Sequence, residues 1–183
     1  MGIFEKVLLG LSITCVAIIL ASTVYSLVTD EPEKKEKAKI NRSEYSDVWI
    51  FAEQKNNEIA AVVFELLGKG RELADKKNTE LSAILLGHNV GNLTDELIAA
   101  GADKVIVVDD PKLADFLDLP YAKAMSDLAK KHKPEIILSG ASVMGRSFIP
   151  RVAITLNTGL TADCTGLEID NEKGILLQTR PAF

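Results

Sequence analysis

Apolar and polar residues alternate along the chain in blocks whose lengths predict strands and helices in turn. Between the strands, apolar residues recur at helical spacing from Val62 to Leu73, again from Leu93 to Ala100, and in the amphipathic segment 121–132. Strands separated by helices in this rhythm predict a parallel sheet that is buried on both faces. The predicted strands are 47–53 (DVWIFAE), 81–87 (LSAILLG), 104–110 (KVIVVDD) and 134–140 (PEIILSG).

The pattern changes after residue 160. The segments 161–170 (TADCTGLEID) and 174–180 (GILLQTR) flank the polar turn NEK and predict an antiparallel hairpin at the edge of the sheet. The predicted fold class is therefore α/β. It has three layers around a mostly parallel, Rossmann-like sheet and a C-terminal antiparallel hairpin, all within residues 46–183.

Residues 7–28 form a run of 22 residues without a charge. As a helix this run would be ~33 Å long, enough to cross a hydrocarbon core of ~30 Å. The alternative is a cleaved signal peptide, with a weak cleavage site at 21–23 (AST). Such peptides have apolar regions of ~7–15 residues and a basic start, whereas here Lys6 alone precedes the run, beside a glutamate. The pattern thus favours a transmembrane anchor, comprising residues 1–29, and not a cleaved signal peptide.

The flanks of this run predict its orientation. One basic residue precedes it, and five follow: Lys34, Lys35, Lys37, Lys39 and Arg42. The positive-inside rule then places the folded domain in the cytoplasm, as part of a single-pass protein of the cytoplasmic membrane. Residues 30–45 have mixed charge and almost no apolar residues, which is typical of a flexible tether.

The composition makes several kinds of partner and site unexpected in this chain. The formal charge is −5 and no basic stripe lies outside the tether, so a nucleic-acid partner is not expected. Cys15 and Cys164 are far apart and the chain has two histidines, so neither a disulfide framework nor a metal site is expected. His88 is interpreted as a turn histidine bonded to backbone, and Asp109 and Asp110 as the end of a strand and the start of a turn. We expect no catalytic residues and hence no enzyme.

The loop 139–151 (SGASVMGRSFIPR) contains the residue types of a phosphate-binding turn. The predicted helix after it begins near Arg146 or Ser147, because Pro150 fits a first helical turn. The alternative is a tight strand-to-helix turn with Arg146 on the surface or paired with a carboxylate. That alternative is favoured, because the phosphate lysine and the glycine repeats are absent. The candidate anion-binding residues are Ser139, Gly140, Ser142, Gly145 and Arg146.

Seven stretches taken together resemble the alpha subunit of electron transfer flavoprotein, and they extend from Val48 to Phe183. They are VWIFAEQ (48–54), ELLGKGRELADK (65–76), LLGHNV (85–90), ELIAAGADKVIVVDDP (96–111), KPEIILSGASVMGRSFIPRVA (133–153), TGLTADCTGLEID (158–170) and GILLQTRPAF (174–183).

The resemblance implies an electron carrier that works with a beta subunit. Electrons would pass from acyl-CoA or other dehydrogenases through FAD to a quinone or another redox acceptor. The family's alpha subunit begins with a nucleotide-hydrolase-like domain that has lost its nucleotide and packs against beta, which implies an interface at Arg146, Thr161 and Asp163. FAD is held mainly by a second domain, whose motifs have no positions before Phe183, so no cofactor is expected in this chain alone.

Two other functions remain open at this point. One is a nucleotide-binding sensor of the universal-stress-protein type on the same kind of sheet, and the other is a nonfunctional truncated remnant. The sensor needs a glycine-rich phosphate loop, which the stretch 139–147 lacks.

Overall fold

The computed structural model describes residues 41–181. The predicted anchor and most of the predicted tether lie outside these residues. Within 41–181, no helix combines the length and the apolar character needed to cross a bilayer. Residues Arg42–Glu44, at the end of the predicted tether, form a 3₁₀ turn whose Glu44 forms an ion pair with Lys133.

Twelve strands and helices follow in chain order within the described residues. They are β1 (Ser46–Ala52), β2 (Gln54–Lys55), β3 (Glu58–Ile59), α1 (Ala61–Lys77), β4 (Leu81–Gly87), α2 (Thr94–Ala99), β5 (Lys104–Asp109), α3 (Asp118–His132), β6 (Pro134–Leu138), α4 (Val143–Leu156), β7 (Gly166–Ile169) and β8 (Leu176–Thr179). Short 3₁₀ turns precede α2 and follow β5, at Gly91–Leu93 and Pro111–Leu113.

The main sheet has four parallel strands in the order β5-β4-β1-β6. Val48 of β1 lies opposite Leu81 of β4 and Ile136 of β6, which gives the register of these two strand pairings. The chain builds outward from β1 to β5 and then returns to the opposite side of β1, so the order reverses between β1 and β6. The predicted α/β class with a mostly parallel sheet is confirmed.

Two separate apolar cores cover the two faces of this sheet. Alternate residues of β1 divide between them: Val48 and Ile50 belong to the core beneath α1, whereas Trp49 and Phe51 belong to the core beneath α3 and α4. Both cores consist of residues between 48 and 176. Residues 41–181 therefore contain a hydrophobic core on each face of the sheet.

Strand β5 is more exposed than its sequence predicts. The run 104–110 was expected to be a buried strand, but Lys104, Val107 and Asp109 are exposed and the other residues of β5 are half-buried. The reason is position: among the described residues β5 pairs with β4 alone and forms one edge of the sheet.

The C-terminal hairpin forms as predicted but not where predicted. β7 and β8 pair in antiparallel fashion as a separate two-stranded sheet and do not extend the main one. Ile169 is buried in the core on the α1 side. Lys77 at the end of α1 donates a hydrogen bond to Gly174 O (2.8 Å) and pairs with Glu135 of β6 (2.8 Å). The hairpin is therefore placed by packing on α1 and by this lysine.

Asp103 links three elements on the α1 side of the sheet. Its Oδ2 accepts hydrogen bonds from Leu81 N (2.8 Å) and from Arg71 Nη1 (2.7 Å). These two donors, the Leu81 N–H first, hold the pKa of Asp103 below its ordinary value. The carboxylate therefore stabilises the fold at neutral pH, and this contribution is lost as the pH falls through the lowered pKa.

We predict that Asp103→Asn lowers the free energy of unfolding by about 1–2 kcal/mol at neutral pH, a modest value because the ion pair is partly exposed. The difference from the parent should shrink as the pH falls below about 4, because the unfolded parent then binds a proton and, at still lower pH, the folded parent loses its charge as well. Urea titrations followed by the fluorescence of Trp49, the single tryptophan and 1% exposed, measure both values. Asp127→Asn, which removes an exposed helix-surface pair with Lys123, is the control and should have little effect. A loss that stays the same at low pH would contradict the assignment.

Candidate functional site

The carboxyl ends of β1 and β6 meet where the strand order reverses, the usual ligand position in open α/β sheets. Glu53 follows β1, and the loop Ser139–Ser142 follows β6. We call Glu53 together with residues 139–146 the switch-point loop.

Ser142 caps helix α4 and determines where it begins. Its Oγ accepts a hydrogen bond from Gly145 N (3.0 Å) and donates one to Glu53 Oε2. The helix starts at Val143, so the predicted start near Arg146 or Ser147 was wrong. The serine satisfies one of the free N–H groups of the first turn, which is the ordinary role of an N-cap residue.

Pro150 lies inside α4 and not in its first turn. A proline within a helix removes one backbone hydrogen bond and crowds the carbonyl one turn before it. The helix nevertheless continues to Leu156 and ends at Asn157, which has a left-handed conformation (φ 53°). The capping serine and the burial of Phe148 and Val152 therefore outweigh the cost of the proline.

Two glycines allow the switch-point loop to pack closely. A Cβ at Gly145 would lie 2.1 Å from Gly140 O and 2.8 Å from Ser139 Oγ. A Cβ at Gly140 would lie 3.0 Å from both Cγ atoms of Val62 in α1. These glycines bring α4 against its own loop and the loop against α1, a packing function that does not need a ligand.

Arg146 already has partners. Its Nε donates to Ala141 O (2.9 Å), and its Nη2 pairs with Asp163 Oδ1 (2.6 Å). This is the arrangement of the alternative interpretation, in which the arginine is paired with a carboxylate. Binding of an anion at Ser139, Gly140, Ser142, Gly145 and Arg146 stays a prediction. It would have to compete with Asp163 for the guanidinium and with Glu53 for the Ser142 hydroxyl.

We therefore predict that residues 41–183 bind neither ATP nor AMP measurably. Glu53 brings a negative charge beside the α4 N-terminus, where the helix dipole would otherwise favour a phosphate. Isothermal titration calorimetry with each nucleotide measures this. Glu53→Gln, which keeps the shape and removes the charge, is the matched variant. Micromolar affinity in the parent chain would contradict the prediction and support the sensor function.

His88 has a carboxylate partner that was not expected from the sequence. Its Nδ1 lies 3.2 Å from Asp109 Oδ1, and Asn89 N donates to the same oxygen (2.8 Å). The interpretation of His88 as bonded to backbone was therefore wrong. The Asn89 N–H, followed by His88, keeps the pKa of Asp109 below its ordinary value. Asp110 begins a turn as predicted, since its Oδ1 accepts from Lys112 N (2.8 Å).

Among the described residues, few other side chains at this end of the sheet are nucleophiles or metal ligands. Cys164 is half-buried, with its Sγ 3.6 Å from Thr161 O. Across residues 41–181, no group of three or more histidine, cysteine, aspartate or glutamate side chains is placed to hold a metal ion.

Helix α4 presents an apolar surface to solvent. Val143 is 89% exposed and Ile154 is 80% exposed, and Ser147 and half-buried Pro150 lie between them at helical spacing. We call these four residues the outer face of α4. Exposed apolar residues that lie together on one helix face are typical of an association surface.

The predicted interface residues lie near this face. The Arg146–Asp163 pair joins the first turn of α4 to the loop 157–165. Thr161 is half-buried in the same loop. The sequence interpretation missed Glu53, Val143 and Ile154. The signal for the last two was their spacing along a helix that begins at residue 143 and not at 146.

Comparison with known proteins identifies the family. The electron transfer flavoprotein domain matches residues 48–183. The chain belongs to the electron transfer flavoprotein family. The chain is 57% identical over 141 residues to the electron transfer flavoprotein subunit alpha of Thermoanaerobacterium thermosaccharolyticum, covering 77% of this chain and 42% of the relative. The corresponding subunit of Clostridium acetobutylicum is 51% identical over 144 residues (79% and 43%).

A third relative has a different name. Subunit LctC of the NAD⁺- and ferredoxin-linked lactate dehydrogenase of Acetobacterium woodii is 45% identical over 151 residues, covering 82% of this chain and 36% of the relative. The chain spans about two fifths of the length of each of these three relatives.

Proposed function

We propose that the chain is the N-terminal, partner-docking part of an electron transfer flavoprotein alpha subunit. In this proposal a beta subunit binds it, and the assembly carries electrons from acyl-CoA or other dehydrogenases, through FAD, to a quinone or another redox acceptor. The chain itself acts as a carrier subunit and not as an enzyme. FAD is proposed to be held mainly outside residues 48–183.

One observation carries the docking function: the outer face of α4 is apolar and open. Two ion pairs border it, Arg146 with Asp163 and Arg151 with Asp118. Both arginines pair with carboxylates of this chain, so their charges are offset on either side of the exposed residues Val143 and Ile154. Such a patch with a polar rim has the composition of the centre of a protein–protein interface.

The docking proposal is tested with a beta subunit co-expressed with the chain. Ile154→Lys and Val143→Lys should each reduce recovery of beta in a pull-down at least about tenfold, because a charge at the centre of an interface must be desolvated. Phe64→Lys is the matched control, since Phe64 is also an exposed apolar residue but belongs to α1. Undiminished recovery with both α4 variants, or equal loss with the control, would place the docking surface elsewhere.

The sensor alternative is not favoured by the family match. The two functions also differ in a simple measurement. A sensor must bind its nucleotide in the absence of other proteins, whereas a docking domain needs a partner. The nucleotide titrations and the pull-down therefore discriminate between them.

We also propose that residues 7–28 anchor the domain in the cytoplasmic membrane, with the domain on the cytoplasmic side. The uncharged run and the five basic residues that follow it support this orientation. Protease treatment of spheroplasts is the test: the domain should resist digestion until the membrane is opened. Digestion from outside, or a mature N-terminus after Thr23, would overturn the proposal.

A further inference from the structure

The outer edge of β5 exposes backbone N–H and C=O groups that could pair with another strand. Asp110 N, just after the strand, donates to Gly87 O of the neighbouring strand β4 (2.9 Å), and Val105 lies opposite Ala83 of β4. Since N–H and C=O groups alternate in direction along a parallel strand, those of Val105, Val107 and Asp109 point away from β4. Within residues 41–181 no other strand pairs with this edge.

The middle of this edge is apolar. Residues Val105–Val108 are four successive apolar residues, and Val107 is 36% exposed. Ile98 of the adjacent helix α2 is 46% exposed. Natural proteins usually protect such an edge with a charge, a proline or a bulge in the strand. Here the charges lie only at the two ends of the strand.

The charges at the two ends of β5 are complementary when two copies of the strand pair in antiparallel fashion. Lys104 is at the start of β5, whereas Asp109 and Asp110 follow its last apolar residue. Antiparallel pairing of two copies brings each lysine beside the aspartates of the second copy, whereas parallel pairing would align like charges. Asp110 is extended (φ −141°, ψ 133°), which continues the direction of the strand.

We propose that β5 pairs in antiparallel fashion with β5 of a second copy of this chain, so that two four-stranded sheets become one continuous sheet. A two-fold axis passes near Val107, and Lys104 of each copy pairs with Asp110 of the second. The interface is isologous and leaves no further edge of β5 open, so it closes at a dimer.

This dimer does not depend on the proposed docking function. β5 forms one edge of the main sheet and β6, which leads into α4, forms the opposite edge. The two surfaces lie at opposite ends of the strand order, so variants can separate them.

The first experiment uses the full chain in membranes, with Cys15→Ser and Cys164→Ser to remove the native thiols. Single cysteines are placed in turn at 104–109 and oxidised. Disulfides need Cα atoms about 4.4–6.8 Å apart, and opposite residues of antiparallel strands lie about 4.5 or 5.5 Å apart. We expect dimer formation to peak at Val107→Cys, the position next to the two-fold axis, and to fall toward both ends. A flat profile, a maximum at an end, or an equal yield from Ile154→Cys would overturn the proposal.

The second experiment exchanges the charges. Lys104→Glu or Asp110→Lys in residues 41–183 should each weaken dimerisation about tenfold, because two attractive pairs become repulsive in each dimer. The double variant should restore the parent affinity, as measured by sedimentation equilibrium. Val107→Lys should give a monomer, whereas Ile154→Lys should remain a dimer. Unchanged Trp49 fluorescence verifies folding of each variant. A monomeric parent, or a double variant no stronger than the singles, would overturn the proposal.

Discussion

Gly145→Ala is expected to lower the free energy of unfolding of residues 41–183 by about 3 kcal/mol, at the upper end of the cost of overpacking. The added methyl would lie 2.1 Å from Gly140 O, and this neighbour is backbone that cannot rotate away. Helix α4 would have to move from its loop, which would strain the Ser142 cap and its contact with Glu53. A loss of this size is a large fraction of the stability of a typical domain.

The chain offers a matched control with the opposite sign. Gly68 lies on the exposed side of α1, and a Cβ there meets nothing within 4 Å. Gly68→Ala should therefore raise the free energy of unfolding by about 0.5–1 kcal/mol through helix propensity. Urea titrations followed by circular dichroism and Trp49 fluorescence measure both variants. If Gly145→Ala were as stable as the parent, the close approach of Gly140 to Gly145 would be contradicted.

The inner strands were predictable because burial on both faces makes a parallel strand apolar throughout. β1 and β4 are these inner strands: β4 covers the predicted run 81–87, and β1 (Ser46–Ala52) begins one residue before the predicted run 47–53. β5 has the same kind of sequence but lies at the edge. An apolar run predicts a strand without stating how many neighbours it has, so the exposure of Val107 was not available from the pattern.

The start of α4 was missed because two local signals conflicted. Proline is preferred in the first turn, and this preference moved the predicted start toward Pro150. Serine is preferred at the N-cap, and Ser142 occupies that position in the structure. The burial of Phe148 and Val152 decides between the signals. This burial depends on residues of other strands and helices that pack against α4. Local preference alone therefore could not settle this boundary.

The side-chain pairs of the candidate site were hidden by separation in sequence. Glu53 and Ser142 are 89 positions apart, and His88 and Asp109 are 21 apart. In both pairs, however, the two residues lie at the carboxyl ends of neighbouring strands, β1 with β6 and β4 with β5. The order of the strands would have predicted both contacts, so the missing information was the topology and not the residue types.

Residues 41–183, prepared without a partner, are expected to be colourless, with no flavin in a stoichiometric amount. Electron transfer needs a bound redox group, and the protein must supply the surfaces that hold it. At the switch point, where such a sheet usually binds a nucleotide, the space between β1 and β6 contains the Glu53–Ser142 contact, and Gly140 packs against Val62. The Glu53 carboxylate would also repel the pyrophosphate of FAD.

The visible absorbance of flavin, measured before and after incubation with excess FAD and desalting, checks this expectation. Glu53→Gln is the informative variant, because it removes the charge and keeps the contact with Ser142. If the parent and the variant are both colourless, the charge alone does not exclude flavin, and the packing around Gly140 and Gly145 accounts for the closed loop. A yellow parent protein with one FAD per chain would contradict the expectation, and would place the cofactor site of this family within residues 41–183.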